Sequence, residues 1–293
     1  MGDRSPASRA GRWRGLLGGL VLTALLAGCN LVELGYHQLD WVMRQRVERF
    51  VFLEEEQRRR LEQDIDALLA WHCRTQLPKY VDFLDDLRRD FGAGAVTPAR
   101  VRAYSDRLEG YWYALLERGS IGAGNLLASL SDRQLQELDA TLAERNRDSA
   151  REVRADAGRD PSRDYARLAE RQWRRWLGPL NAEQERLIGD WSRAFEPLGS
   201  LGVDYRSQLR HDLRELVAAH RGDPAAMRAA LLRFIDAIRD APPARYAARV
   251  DANKRLSIDM VAAVAVAADR EQVAHLLRVA GGWRRDLAGV ACR

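Results

Sequence analysis

The chain has 293 residues, of which 47 are basic and 42 acidic, and its formal net charge is +5. Residues 1–28 contain four arginines and one aspartate, so residues 29–293 carry 43 basic and 41 acidic side chains. Nucleic-acid binding calls for a clustered basic face, and this near balance argues against nucleic acid as a partner. The remaining 265 residues suit one large domain or two smaller ones.

The first 28 residues have the pattern of a secretory signal peptide. Four arginines precede an uncharged, mostly apolar run from Leu16 to Ala27. A transmembrane helix needs roughly 20 apolar residues, so this run of twelve is too short for a permanent membrane span. We therefore expect residues 1–28 to be a leader that is removed from the mature protein.

The tetrapeptide at the end of the leader, Leu26-Ala27-Gly28-Cys29, resembles the lipobox of bacterial lipoproteins. The resemblance implies that a dedicated peptidase recognises Leu26, Ala27 and Gly28 and cuts before Cys29. It also implies a diacylglycerol on the Cys29 thiol and an acyl chain, such as palmitate, on the new amine. Two or three chains give stable anchoring, because each buried CH₂ contributes ~0.8 kcal/mol. The alternative is an ordinary signal peptide followed by a chance cysteine.

The residue after Cys29 is Asn30. In the sorting rule known for such lipoproteins, an aspartate at this place retains the protein at the inner membrane. By that resemblance we expect the protein at the outer membrane, facing the periplasm, rather than at the inner membrane. The lipid anchor is then the contact with the membrane, and we expect no cofactor other than the covalent lipid.

Helical signals dominate residues 31–293, and no stretch alternates apolar and polar side chains over the length of a strand. Capping residues and prolines mark the helix starts, because an N-cap oxygen satisfies free N–H groups and proline suits the first helical position. In chain order, the predicted segments begin at or near Leu31, Leu53, Pro78, Pro98, Ser131, Asp160, Asn181, Val203, Asp223, Pro243 and Asp269.

Two glycine-rich stretches predict interruptions, a break at Gly119–Asn125 and another at Gly281-Gly282 in the last helix. If Pro78 only kinks the helix that begins near Leu53, the segments make about nine to ten helices, too many for a four-helix bundle. We expect an all-α fold, as one larger multi-helix bundle or two stacked bundles. The polar stretch near residues 156–162 predicts a boundary between a lipid-anchored part, 29–156, and a C-terminal part, 157–293. The two parts could also form one continuous domain.

A weak internal recurrence of the form Leu-x-x-x-Gln begins three of these helices, at Leu53–Gln57, Leu130–Gln134 and Leu180–Gln184. The separations differ, so a solenoid is not supported. Capping alone accounts for the pattern as three similar helix starts. The recurrence also resembles the Leu-Thr-x-x-Gln repeat of small periplasmic helical chaperones, although those proteins are much shorter.

The most distinctive internal segment runs from Trp71 to Tyr80 and follows a Leu-Asp-Trp triplet near the expected mature start. Together these motifs resemble an uncharacterised family of proteobacterial lipoproteins, a domain of unknown function. Cys73 stands where that family usually has arginine, which argues against Cys73 as a nucleophile. The resemblance implies no activity. It singles out a structural or functional cluster formed by Asp40, Trp41, Trp71, His72, Pro78 and Tyr80.

His72 continues the apolar stripe Leu61, Ile65 and Leu68, so we expect it to face the core as a satisfied histidine. Asp40 is its expected hydrogen-bond partner. The functional alternative is an Asp40–His72 general acid/base pair in an envelope enzyme such as a cell-wall hydrolase. That alternative lacks an obvious nucleophile, and we assign no catalytic residue.

The two cysteines beyond the anchor, Cys73 and Cys292, have two open outcomes. The envelope is oxidising, so a disulfide between them is one outcome. Chain ends are often loose, and the penultimate position of Cys292 favours the other outcome, two free thiols.

His211, Glu215 and His220 offer a weak candidate metal site. His211 and Glu215 share one helix face, but His220 lies on another, so a solvated face explains them better than a metal site. The sequence has no HExxH, Walker or GxSxG motif. We therefore predict no metal.

These observations predict a non-enzymatic lipoprotein that binds other envelope components, such as a protein partner, or unfolded chains through its helical faces. An envelope enzyme using Asp40 and His72 is one alternative. The other is a bundle that binds a lipid or glycan, which predicts an apolar internal cavity.

Overall fold

The computed structural model describes residues 35, 36 and 38–292, and all regular structure within them is helical. The predicted leader and the lipobox, with Leu26, Ala27, Gly28 and Cys29, lie outside the described residues. The helices are α1 (Leu39–Glu48), α2 (Glu55–Thr75), α3 (Leu77–Gly92), α4 (Pro98–Ser129), α5 (Asp132–Ala155), α6 (Ser162–Leu177), α7 (Ala182–Ala194), α8 (Gly199–His220), α9 (Pro224–Asp240), α10 (Ala244–Val266) and α11 (Arg270–Ala288).

The described chain thus has eleven helices, or ten if α2 and α3, which only Gln76 separates, are counted as one bent helix. The predicted all-α multi-helix bundle is confirmed. Among the described residues, none of the helices combines the length and the apolar composition needed to cross a bilayer.

Local capping sets several of the helix starts where the sequence predicts them. The Thr97 hydroxyl accepts a hydrogen bond from the Arg100 N–H at 3.3 Å, and Pro98 takes the first position of α4. Pro78 lies in the first turn of α3 and restarts the chain as a new helix. Such starts depend only on neighbouring residues, which is why the sequence shows them.

The predicted break at Gly119–Asn125 is wrong, because α4 continues unbroken through it for 32 residues. A Cβ on Gly122 would lie 2.8 Å from the Cβ of Asp64, and one on Gly124 would lie 3.2 Å from the backbone nitrogen of Arg228. These glycines let α2 and α9 approach α4 closely. A helical glycine costs about 1 kcal/mol relative to alanine, and the packing on both sides offsets that cost.

The predicted interruption at Gly281-Gly282 is also wrong, because α11 runs through both residues. Gly281 is buried, and a Cβ there would lie 3.6 Å from the Nε of Arg88 on α3. The glycine lies where α11 packs on α3, the most extensive helix contact among the described residues. Both wrong predictions therefore share one cause, since glycine in these helices serves close packing.

The α2–α3 pair runs antiparallel to α4 along its whole length. Asn125 of α4 donates to Asp64 of α2 at 2.8 Å, and farther along Tyr104 donates to Asp90 of α3 at 2.6 Å. On its other side α4 packs against α9, while α5 packs against α8 and α7 lies between α6 and α10. Helices from both sides of residues 156–161 thus pack against one another.

Four buried apolar clusters lie among the described residues, and two of them form the main cores of the fold. The larger core joins α3, α4, α6, α7, α10 and α11 around the fully buried Ile188 and Val264. The smaller core joins the N-terminal ends of α2 and α5 and consists of Val51, Leu53, Leu61, Ile65 and Leu130.

The N-terminal ends of α2 and α5 meet through a reciprocal pair of glutamine side chains. The amide of Gln134 donates to the Oε1 of Gln57 at 2.6 Å, and Gln57 donates back at 3.2 Å. Each amide nitrogen also donates a hydrogen bond to a backbone carbonyl just before the other helix. Gln134 donates to the Phe52 carbonyl at 2.8 Å, and Gln57 donates to the Ser129 carbonyl at 2.9 Å. Each glutamine closes the capping box of its own helix as well.

The same arrangement joins the N-terminal ends of α7 and α11. Gln184 and Gln272 exchange two hydrogen bonds of 2.9 Å, and both side chains are buried. Gln272 also donates to the Pro179 carbonyl at 2.6 Å, and Gln184 donates to the Val264 carbonyl at 3.3 Å. The recurrence noticed in the sequence is therefore a device that joins helix ends in pairs, with Gln272 as its fourth member.

Replacing Gln184 with alanine should lower the free energy of unfolding by about 1–3 kcal/mol, because it leaves the buried amide of Gln272 without its partner. The double change with Gln272→Ala should cost less than the sum of the single changes, as expected for contacting residues. Gln63→Ala, at an exposed position of α2, is the matched control and should stay within about 0.5 kcal/mol of wild type. Chemical denaturation of wild type and the four variants measures these changes, and additive single changes would contradict the pairing.

The favoured outcome for the cysteines, two free thiols, is wrong, because Cys73 and Cys292 form a disulfide with their Cα atoms 5.6 Å apart. The bond joins residues 219 positions apart in the chain. It ties the segment after α11 to the C-terminal end of α2, where Cys73, Leu77 and Val290 form a small buried cluster. Tertiary packing brings Cys292 to Cys73, which a pattern of neighbouring residues does not encode.

Replacing Cys292 with serine should lower the free energy of unfolding by up to about 5 kcal/mol, because a long loop is no longer closed in the unfolded chain. Adding a thiol reductant should shift the denaturation midpoint of wild type to that of the variant and leave the variant unchanged. A non-reducing peptide map that lacks the 73–292 crosslink would overturn the assignment.

Candidate functional site

An apolar groove of about 390 Å³ lies between α1, α2 and α4, and α5 closes one end. Its walls consist almost entirely of hydrocarbon, and the polar lining residues are Arg46, Asp64 and Arg118 together with glycine backbone. The principal apolar side chains of the walls are Met43, Val47, Phe50, Leu61, Ile65, Leu68, Leu126 and Leu130. Small-molecule sites typically occupy ~300–1,000 Å³ and are lined in this way.

The groove exists because small residues of α4 leave space that no neighbouring helix fills. A Cβ built on Gly119 would meet nothing within 4 Å, and Ala123, one turn later, is exposed. On the opposite wall, α1 contributes half-buried Met43 and Val47, and none of its residues is buried. The groove thus lies between a thinly covered helix and a face of α4 without bulky side chains.

The apolar face of α4 continues beyond the groove as exposed surface. Leu108 is 51% exposed and Trp112 is 56% exposed. Both lie on the same side of the helix as Gly119, because four- and seven-residue steps return to one face. From Leu108 to Leu126 this face is roughly 27 Å long, at 1.5 Å per residue. Periodicity in the sequence marks such an apolar face without saying what covers it.

The charged side chains at the groove rim differ in whether an oppositely charged side chain pairs with them. The carboxylate of Asp64 accepts a hydrogen bond from Asn125 at 2.8 Å and lies 3.5 Å from the guanidinium of Arg60. Within residues 35, 36 and 38–292, no carboxylate pairs with Arg46 or Arg118. The rim therefore offers two cations whose charge the described residues do not neutralise.

His72 lies at the other end of α2, held between two tyrosine hydroxyls. Its Nδ1 is 3.1 Å from the Tyr36 oxygen, and its Nε2 is 3.2 Å from the Tyr80 oxygen. The Tyr36 hydroxyl donates its one hydrogen to the Leu69 carbonyl at 3.0 Å. Nδ1 must therefore carry the proton and donate to Tyr36, so that Nε2 accepts from Tyr80.

A neutral imidazole at His72 satisfies this hydrogen-bond pattern. Burial acts in the same direction and lowers the pKa of His72 below its ordinary value of 6.5. Burial also raises the pKa of Tyr36 and of Tyr80. The three groups therefore remain uncharged together at neutral pH.

The expected Asp40–His72 hydrogen bond is not formed, because tyrosines occupy both ring nitrogens of His72. Asp40 is exposed and lines a separate cleft of about 330 Å³ with Asp66 and Cys73, and His72 is not part of that lining. The acid/base pair on which the enzyme alternative depends is thus not assembled.

The other residues of the predicted cluster are only partly brought together. Tyr80 contacts His72 directly, with ring centroids 5.5 Å apart. Trp71 is half-buried on α2, Pro78 is exposed at the start of α3, and Trp41 is 47% exposed on α1. The predicted cluster does not include Tyr36, the residue that joins His72 to the region before α1.

Of the α8 histidines, His211 contacts a glutamate on its own helix. His211 Nε2 lies 3.1 Å from Glu215 Oε1, and both side chains are exposed. Within the part of the chain that the structure describes, no three histidine, cysteine or acidic side chains are placed to hold a metal.

Acidification should destabilise the protein through His72. The pKa of His72 is lowered in the folded state, so the unfolded chain binds the proton more readily, and stability present above pH 6.5 is lost as the pH falls through it. His72→Gln should lower Tm at pH 8 and reduce the further drop in Tm between pH 8 and 5.5. His211→Gln, at an exposed position, is the control and should retain the wild-type drop. An equal drop in wild type and His72→Gln would contradict this assignment.

One comparison with known proteins gives a match. A family described as a family of unknown function, DUF6279, matches residues 49–241. The searches of curated proteins and of solved structures found no match. The matched range contains α2 to α9, whereas Gln272 and Cys292 lie beyond it. The predicted likeness to a family of unknown function is confirmed at that level.

Proposed function

The chain belongs to DUF6279, a family of unknown function, and from that premise we propose that it is a lipid-anchored binding protein of the bacterial envelope. In this proposal it performs no catalysis and holds apolar parts of other envelope components or unfolded chains. The observation that carries the proposal is the apolar groove between α1, α2 and α4, together with the exposed face of α4 that extends it. Exposed apolar surface of this kind commonly marks a binding site.

Two features support a position in the envelope. The Leu26–Cys29 segment has the residue types of a lipobox after a basic and apolar leader. The disulfide between Cys73 and Cys292 is of the kind that forms and persists in oxidising compartments. Asn30, in place of aspartate, favours the outer membrane and its periplasmic side.

The anchor and the groove are close in the chain. Leu39, the first residue of α1, lies ten positions after Cys29, and ten residues of chain can span at most about 35 Å. A lipid on Cys29 would therefore keep α1 and the groove near the membrane surface. Trp41 and Val42, both exposed on α1, supply apolar side chains on that side of the molecule.

The likeness to small periplasmic chaperones enters this proposal through the groove and not through the glutamines. Gln57, Gln134 and Gln184 are engaged in joining helix ends, which gives them a structural role. Binding of unfolded chains would have to use the apolar face of α4. Photo-crosslinking in cells can detect either kind of partner.

A photo-crosslinking residue at Ala123, in the groove, should capture envelope components in cells. The same residue at Gly110 is the matched control, because thirteen residues of helix place Gly110 about 140° away from Ala123 around α4, where a Cβ meets nothing within 4 Å. We expect adducts from position 123 and few from 110, and Cys29→Ala should reduce the adducts.

Labelling with palmitate tests the anchor in the same cells. We expect label on the wild-type protein and none on Cys29→Ala. Equal adducts from positions 123 and 110 would overturn the binding role, and label that persists in Cys29→Ala would overturn the anchor.

A further inference from the structure

The volume and shape of the groove suit a single hydrocarbon chain. An engineered cavity of ~150 Å³ holds benzene, or about 25 Å³ for each carbon atom. On that scale a cavity of about 390 Å³ holds roughly 15 carbon atoms. This is the size of one long acyl chain.

The chemistry of the walls favours an acyl chain over a polypeptide. A peptide backbone brings one donor and one acceptor per residue, and burying these without partners is costly. The groove walls offer these backbone groups almost no hydrogen-bond partners, since the polar side chains of the lining are Arg46, Asp64 and Arg118. A hydrocarbon chain has no polar groups along its length and leaves nothing unsatisfied.

The charged side chains at the groove rim indicate the sign of the charge at the end of a bound acyl chain. Asp64 is already engaged by Asn125 and Arg60, so its charge is partly compensated within the protein. Arg46 and Arg118 have no carboxylate partner within the described residues, and guanidinium groups bind carboxylates or phosphates in a forked geometry. An anionic group at the end of the chain would complement these two cations.

We infer that the groove binds one long acyl chain and that Arg46 and Arg118 hold its anionic headgroup. This inference rests on the proposed binding role and specifies the ligand class as a single-chain anionic amphiphile. The apolar walls supply the affinity, and the two arginines supply the selectivity for negative charge.

The test uses purified protein carrying Cys29→Ala in detergent-free buffer, with binding followed by calorimetry. The probes are dodecanoate and dodecyltrimethylammonium, which share a twelve-carbon chain and differ in the sign of the headgroup. Dodecanoate should bind at least tenfold more tightly. Among shorter carboxylates, affinity should rise with length by up to about fourfold per methylene.

Gly119→Leu should fill the groove and reduce dodecanoate affinity at least tenfold. Its side chain enters open space and leucine is a better helix former than glycine, so Tm should not fall. Gly110→Leu, on the opposite side of α4, is the matched control and should bind as wild type does. Unchanged affinity in Gly119→Leu would place the ligand elsewhere and overturn the inference.

Arg46→Gln and Arg118→Gln should each weaken dodecanoate about tenfold and leave dodecyltrimethylammonium unchanged. Arg102→Gln is the control, since Arg102 is exposed on α4 and is not part of the groove lining. Equal affinity of wild type for the two probes would overturn the assignment of the headgroup.

The outcome also separates this inference from the proposed function. If dodecanoate does not bind while crosslinks from position 123 persist in cells, the acyl-chain inference fails and the binding role stands. If a denatured test protein binds through the groove, and Gly119→Leu abolishes that binding while dodecanoate is ignored, the ligand is a polypeptide and the inference fails. If dodecanoate binds and no crosslinks form, the acyl-chain site stands without the proposed partners.

Discussion

The structure depends on the joining of helix N-termini in pairs by glutamine side chains. A helix start exposes N–H groups that need acceptors, and bringing two such starts together would place like partial charges side by side. Gln57 and Gln134 resolve this at one contact, and Gln184 and Gln272 resolve it at the other. In each pair the amide oxygen accepts from its own N-cap while the amide nitrogen donates to the partner helix.

These two junctions fix where the long helices cross, and the other features follow from that geometry. The junction of α2 with α5 places α2 beside α4, whose glycines allow close approach on that side and towards α9. At Gly119 no neighbouring helix packs against the small residues of α4, and the groove opens there. The glycines of α4 thus serve packing at positions 122 and 124 and create a cavity at position 119.

Much of the fold can be predicted from the sequence, because most helix starts are local. Thr97-Pro98 and Asp223-Pro224 define their helices with residues that lie within one turn. The wrong break at Gly119–Asn125 arose because the intrinsic cost of glycine was weighed without the helices that pack on it. The disulfide was missed for a related reason, since only the complete fold brings Cys292 to Cys73.

The candidate site was harder to predict than the fold. The apolar residues of α1, α2 and α4 have helical spacing, and spacing does not distinguish a covered face from an open one. Arg46 and Arg118 carry no local signal, because their significance lies in the absence of a partner carboxylate among the described residues. For His72 the sequence favours a structural role over catalysis, and it names Asp40 where Tyr36 supplies the contact.

The contacts of α1 connect the histidine cluster with the groove. None of its residues is buried, and the ion pairs Arg44–Glu62 and Arg58–Glu48 attach it to α2. Just before it, Tyr36 is held by His72 and by the Leu69 carbonyl. Surface ion pairs contribute little to stability. The hydrogen bonds around His72 therefore matter for the position of α1, which forms one wall of the groove. The element that borders the groove is thereby among the least buried of the fold, and such elements open locally at low free-energy cost.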